Sequence, residues 1–377
     1  MRIIDEEAFL KSPLEEISIP LHVTKIGQKA MNCKKLKNVV FSEKAELKSI
    51  CEYAFMKSLI ESITIPSTTT EICDYAFSYC KKLKTVNISK NSELRTIGNY
   101  AFEYTMIEKF YIPSKLNEIH EFWCTNVTQL NEIKISEDNT NFAYLNDKMI
   151  VTKSDPNDDA FDVLFFALRD IKKAVIPPTI KKITSCCFNS CSKLTKIMFV
   201  GNSQLQTIPM HSFCGSSIRS ISIPQHVKYI GNSAFSNCTQ LRNVEFPLNS
   251  ELMSIHSNAF QKSSIEQISI PSRVTYIGEE AFSKCTNLKK IDFPPGLINI
   301  DNYSLTGTSI ESIALPSQIK YLDRFTFMGY KTIKIIEVNE NTNIPDIFLR
   351  GLINCKIDFL LIPTKYREFL EIISKNI

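Results

Sequence analysis

Twelve cysteines and five histidines are the residues of this 377-residue chain best suited to ligate a metal, form a disulfide or attack an electrophile. Their spacing decides between these chemistries. Cys80, Cys191, Cys238 and Cys285 each stand eight residues after an isoleucine (Ile72, Ile183, Ile230 and Ile277), and Cys33 stands one short of that. Thiols recurring on a fixed period form a column. Cys238 and Cys285, 47 residues apart, would lie two turns or about 10 Å from each other, beyond disulfide reach. The column reads as buried structural thiols. Cys51 and Cys73 directly follow consecutive isoleucines 22 residues apart. A separation of about 5 Å would fit a bridge, but the unbridged pair is expected. Cys186, Cys187 and Cys191 resemble a thiolate cluster, yet no second Cys or His pair with zinc spacing follows. His22, His120, His211, His226 and His256 fall on different turns, none with a nucleophile and a carboxylate at a motif spacing. Gly27, Gly98, Gly231 and Gly278 are single turn residues, replaced in register by Cys51 or Asp301, and make no phosphate-cradling loop. The expectation is no catalytic residue, no metal and no cofactor.

The elements that place these residues come from an internal repeat. Ile97-Gly98-Asn99-Tyr100-Ala101-Phe102 returns as Ile277-Gly278-Glu279-Glu280-Ala281-Phe282. Aligned anchors are Ile4, Ile26, Ile50, Ile72, Ile97, Ile119, Ile183, Ile208, Ile230, Ile255, Ile277, Ile300 and Leu322, mostly 22 to 25 residues apart. Two repeat types alternate. The short type ends a strand in Ile-Pro, with Pro20, Pro66, Pro113, Pro224, Pro271 and Pro316 at that place; the long type carries Cys-x-x-Leu, a strand, and then Asn-Ser-x-Leu as a loop. A period of this length with Leu-x-x-Ile-x-Ile at fixed phase is a leucine-rich-repeat signature. Each repeat is one coil of a solenoid, since a single coil buries too little apolar surface to offset the entropy of ordering it. The strands, such as Ile60-x-x-Ile63-x-Ile65, should stack in parallel, with Ile63 and Ile65 inward and Ser62 and Thr64 outward. Proline cannot donate to a ladder, so it terminates the strand. Val-x-x-Ile is predicted to form a short second strand, and x-x-Ala-Phe-x-x-Cys a helical or 3-10 turn on the convex side. About fifteen ladder strands are expected.

The pattern breaks between Ile119 and Ile183. Residues 136–170 read as an insertion in which Met149-Ile150-Val151 and Val163–Ala167 flank a polar turn at Asp155–Asp159, a projecting hairpin. The organisation is therefore repeats over 1–135, the insertion over 136–170, repeats over 171–363 and a capping helix over 364–377, within one continuous solenoid. Tyr366, Phe369, Leu370 and Ile373 give that helix one apolar face, and Thr364 could cap it. The chain starts in mid-repeat at Ile4 without comparable cover, which reads as a fragment of a longer protein.

Composition excludes several classes. Apolar residues make up 44% and charged residues 22%, as in a folded globular chain. The net charge of +4 comes from 44 basic and 40 acidic side chains scattered singly, with no stripe for a phosphate backbone, so nucleic acid is not an expected partner. No apolar run reaches membrane-span length, and Met1-Arg2-Ile3-Ile4-Asp5-Glu6-Glu7 is too charged for a secretory signal.

The run Ile270-Pro271-Ser272-Arg273-Val274-Thr275-Tyr276-Ile277-Gly278-Glu279-Glu280-Ala281-Phe282-Ser283-Lys284-Cys285-Thr286-Asn287-Leu288 resembles the BspA-like leucine-rich repeats of surface proteins from spirochaetes, oral anaerobes and anaerobic protists. The stretch from Asn139-Thr140-Asn141-Phe142 is similar to the hairpin insert of that family. The resemblance covers nearly the whole chain. It implies a right-handed curved horseshoe with a parallel sheet on its concave face, and adhesion to host cells or matrix. A surface or secreted location follows from the family, a cytoplasmic one from the absence of a signal and an anchor.

The candidate ligand-binding residues are the outward strand positions: Ser62, Thr64, Thr85, Asn87, Lys109, Tyr111, Glu132, Lys134, Lys196, Met198, Ser220, Ser222, Asn243, Glu245, Gln267, Ser269, Lys290 and Asp292. Mostly small and polar, they suit a protein or glycan ligand. Asn-x-Ser/Thr at Asn87, Asn126, Asn237 and Asn302 leaves glycosylation open. Two other readings compete with the adhesin: an intracellular scaffold, consistent with many unpaired thiols, and a piece of an enzyme whose catalytic part lies elsewhere.

Overall fold

The computed structural model describes residues 2–322, 325–326, 332–338 and 356–361. It is a parallel-strand solenoid with thirteen two-residue anchor strands among the described residues, one per coil. The chain forms two compact units, Met1–Ile171 with Thr184–Cys191 and Lys172–Ile183 with Ser192–Ile377. In the first, the strands Ile3–Ile4, Lys25–Ile26, Ser49–Ile50, Glu71–Ile72, Thr96–Ile97 and Glu118–Ile119 form an unbroken parallel sheet. Ile26 pairs with Ile50, Ile50 with Ile72 and Ile72 with Ile97. The second unit repeats this from Thr207–Ile208 to Tyr321–Leu322. The Val-x-x-Ile prediction describes these strands: β-branched isoleucine suits a pleated position buried on one side.

The predicted helical or 3-10 turns are not there. Among the described residues the Ala-Phe segments are chains of turns, and no helix occurs. The reason lies in two positions of most coils, three and seven residues after the anchor, where the backbone takes the left-handed conformation: Tyr53 and Lys57 (φ 60° and 63°), Tyr75 and Tyr79 (58° and 60°), Asn258 and Lys262 (58° and 57°). A left-handed residue every fourth position interrupts the helical hydrogen-bond series. The backbone instead alternates its donors. Tyr53, Phe55 and Lys57 donate to Asp74, Ala76 and Ser78 of the next coil at 2.8 to 3.2 Å, while Ala54, Met56 and Ser58 donate three residues back to Cys51, Tyr53 and Phe55. Every second N–H thus joins neighbouring coils, so the turns make a ladder of their own.

This ladder sets the core. Phe55, Phe77 and Phe102 are fully buried and stack at 5.2 and 5.3 Å with planes 1° and 2° apart. In the second unit Phe213, Phe235, Phe260 and Phe282 do the same at 5.2 to 5.3 Å. Each such buried ring contributes about 1.5–3 kcal/mol.

The fifteen ladder strands expected from the sequence are present among the described residues, but they do not form one sheet. Short-type strands pair in register with the long-type strand that follows: Ser62–Ile65 with Thr85–Ile88, Ser220–Ser222 with Asn243–Glu245, Gln267–Ser269 with Lys290–Asp292. From a long strand to the next short one, as far as Lys290–Asp292, the ladder is absent or reduced to the single pair Lys109 with Thr85, whereas Thr332–Val338 pairs in parallel with Lys356–Leu361. Proline removes one rung wherever it ends a strand, in the long coils at Pro247 and Pro294 as well. Just past a long strand, Ser136 donates to Ile112 O at 2.9 Å and Val200 to Ile176 O at 3.0 Å, each reaching the preceding short strand. In the short coils that place holds Pro20, Pro66, Pro113, Pro224, Pro271 or Pro316, which has no N–H to return.

The insertion contains the expected antiparallel pair, Met149–Thr152 with Val163–Ala167, plus a third strand, Phe142–Asn146, on the outer side of the first. All five residues of Val163–Ala167 are buried, and Phe142, Phe165 and Phe166 join the core of the first unit, so this element packs rather than projects. Asn139 opens it: its side-chain nitrogen donates to Pro113 O and Leu116 O at 2.7 and 2.9 Å, and its oxygen accepts from the N–H groups of Asn141 and Phe142. Arg169 closes it, donating to Val127 O and Cys187 O at 3.1 and 3.0 Å with its guanidinium 4.2 Å from the Phe166 ring centre. The capping helix expected over 364–377, with Thr364, Tyr366, Phe369, Leu370 and Ile373, lies outside the described residues.

Candidate recognition surface

Strand alternation puts the candidate side chains where the sequence predicts. Ser62, Thr64, Thr85, Asn87, Lys109, Lys134, Lys196, Ser220, Ser222, Asn243, Glu245, Gln267, Ser269, Lys290 and Asp292 are exposed, and Tyr111, Glu132 and Met198 are half-buried. Between them the inward Ile63, Val86, Phe110, Ile133, Ile221, Ile268 and Ile291 are buried. The outward side chains contact one another from coil to coil. Asn87 donates to Thr64 Oγ1 at 3.2 Å, Ser222 to Glu245 at 2.7 Å and Ser269 to Asp292 at 2.9 Å. Lys109 and Lys134 meet Glu132 at 2.7 and 3.4 Å; the hydrogen bond from Lys109 holds the Glu132 carboxyl below its usual range and raises Lys109. Such solvent-exposed contacts are weak, so a ligand can exchange with them at little cost.

Three of the junctions where pairing weakens or fails hold a groove. One groove of about 900 Å³ runs between Asn38–Phe41 and Ser62–Ile65, lined by Val39, Val40, Phe41, Thr64, Pro66 and Asn87 among others. A second, about 490 Å³, lies between Thr85–Ile88 and Lys109–Ile112 and reaches Glu132 and Lys134. A third, about 360 Å³, lies between Lys290–Asp292 and Ser312–Leu315. All three follow a long strand and precede a short one. Spacing alone did not reveal them, although the alternation of Ile-Pro and Asn-Ser-x-Leu coils was their signal. Glu16, Ser18, Asn38 and Val40 occupy outward strand positions as well. Val40, 59% exposed, borders the groove of about 900 Å³.

Two groups of thiols differ in their surroundings. Cys80, Cys238 and Cys285 are fully buried, and each donates at 3.0 Å to a phenylalanine carbonyl of the preceding coil, Phe55, Phe213 or Phe260. Serines of the short coils, Ser58, Ser216 and Ser263, take the matching place and touch the sulfurs at 3.2 to 3.5 Å. Burial pushes these thiols up, Cys80 and Cys238 to about 12 and Cys285 to about 11, which suppresses the reactive thiolate. Cys51 and Cys73 are different, sharing Ser49 Oγ at 3.6 and 4.0 Å near the surface.

The comparisons agree with this architecture. The model of the BspA type leucine-rich repeat region matches in six copies over residues 1–56, 48–149, 162–254 and 253–374. The chain belongs to that family. Among solved structures, the pneumococcal vaccine antigen PcpA is similar with a TM-score of 0.66 and 20% identity, over 93% of this chain and 79% of that one. A leucine-rich repeat protein from Eubacterium ventriosum is similar with a TM-score of 0.59 and 20% identity, over 83% and 85%. Likeness at that identity concerns the fold alone. No curated protein sequence matches the chain. Among the described residues no helix is long and apolar enough to cross a membrane.

Proposed function

We propose that this chain is a non-catalytic binding protein of the BspA type that recognises a protein or glycan through the outward ladder strands. The observation that carries the reading is the row of exposed, mostly small polar side chains at alternating strand positions, interrupted by open grooves. Small side chains let a ligand approach the sheet, and half-buried Tyr111 and Met198 offer the apolar contact that anchors interfaces. Family membership and a solved relative described as a vaccine antigen support the adhesin form of the reading, with host matrix or cell-surface glycans as ligands. The test presents the immobilised chain to matrix proteins and to a glycan panel, beside a variant carrying Ser220→Lys, Ser222→Lys and Ser269→Lys. Loss of capture with an unchanged melting profile is expected; undiminished capture would remove this part of the face from the proposal.

A further inference from the structure

The anchor-plus-one position is glycine in several coils because the preceding coil passes close by. A Cβ at Gly27 would meet Glu6 N at 2.7 Å, and one at Gly98 would meet Asp74 N at 2.6 Å. Between these two glycine coils lie two that carry cysteine there instead, Cys51 and Cys73. Neighbouring parallel coils in register bring like positions together, so the two thiols face each other across one coil spacing. Glu52 follows Cys51. Its carboxylate and the two sulfurs all lie within 4.8 Å of one another. Cys51 is 6% exposed, Cys73 half-buried and Glu52 exposed, so the group opens to solvent on one side, unlike the sealed Cys80, Cys238 and Cys285.

We propose that Cys51, Cys73 and Glu52 form a site for a zinc-class divalent cation, with the fourth coordination position open to water. Cysteine sulfur and carboxylate oxygen are each established zinc ligands. Zinc–sulfur bonds of about 2.3 Å place two tetrahedral sulfur ligands about 3.8 Å apart, a spacing these groups reach by small side-chain rotations. Thiolate donors favour zinc over magnesium or calcium. Binding exchanges a proton for the metal at each sulfur: the S–H bond breaks, the electron pair goes to the cation and the proton leaves to solvent.

The experiment titrates the reduced full chain with Co²⁺ alone and follows the thiolate-to-cobalt charge-transfer absorption. One equivalent is expected to saturate the band, and Zn²⁺ to bleach it. Cys51→Ser and Cys73→Ser should abolish it. Glu52→Gln should weaken binding about tenfold or more, since even outer-sphere partners matter that much. Cys238→Ser, in the buried column where serine already alternates with cysteine, should leave the band intact. If a serine variant fails to fold, Cys73→Gly replaces it, because the flanking coils carry glycine at that place. Zn²⁺ should raise the melting temperature of the parent chain and not of Cys73→Gly. No band in the parent, or a band that persists in the Cys51→Ser/Cys73→Ser double variant, overturns the proposal. So does a band lost equally in Cys238→Ser.

Discussion

The two strand columns of the first unit run through the same coils, yet one is continuous and the other is split. Its six anchor strands make one sheet, whereas its ladder strands fall into a pair, Glu16–Ile19 with Asn38–Phe41, and a group of four. The anchor column is uniform: isoleucine recurs in it, and the N–H after each anchor from Gly27 to His120 donates to the anchor carbonyl of the preceding coil. The ladder column alternates, and every second coil ends in a proline that cannot complete the rung behind it. Uniformity gives a rigid spine, and alternation gives grooves on a surface that remains attached to that spine. Under the proposed function, stability and recognition belong to different sides of the same coil.

The comparison can be broken most severely at the spine. Phe77→Ala, in the middle of the first ring stack, should cost about 3–5 kcal/mol, read as a lowered denaturant midpoint. Gly98→Ala should cost about 1–3 kcal/mol, because the new methyl would collide with Asp74 Oδ1 and with Asp74 N at 2.6 Å; a neutral result would show that the coils separate more easily than the turn ladder implies. Relief of strain has the opposite sign. Lys262 holds φ at 57°, so Lys262→Gly should raise stability by about 0.5–1 kcal/mol, the left-handed penalty less the entropy that glycine loses. On the ladder face, Ser220→Lys with Ser222→Lys should move stability by less than about 0.5 kcal/mol while changing ligand capture. A large loss of stability there would collapse the distinction between the two columns.

Much of this was legible beforehand because a solenoid is nearly one-dimensional: each residue's neighbours are the same positions one period away. The period alone gave the anchors, the inward and outward strand faces and the burial of the Cys80, Cys238 and Cys285 column. The turn conformation was not legible. Ala-Phe flanked by polar residues suits a helix by local propensity, and only the inter-coil bonds from Phe55 to Ala76 and their equivalents favour left-handed tyrosine and lysine over it. The candidate metal group was half visible, as two cysteines in register; Glu52 entered only when the coordinates placed its carboxylate beside both sulfurs.

The sequence by itself determined the repeat, its phase and its alternation, since these rest on side-chain periodicity and on the missing donor of proline. The tertiary structure decided which coils bond to which, where the sheet opens and which polar atoms meet. Those outcomes depend on angstrom-scale distances between coils, and contacts between segments more than twenty residues apart settle them.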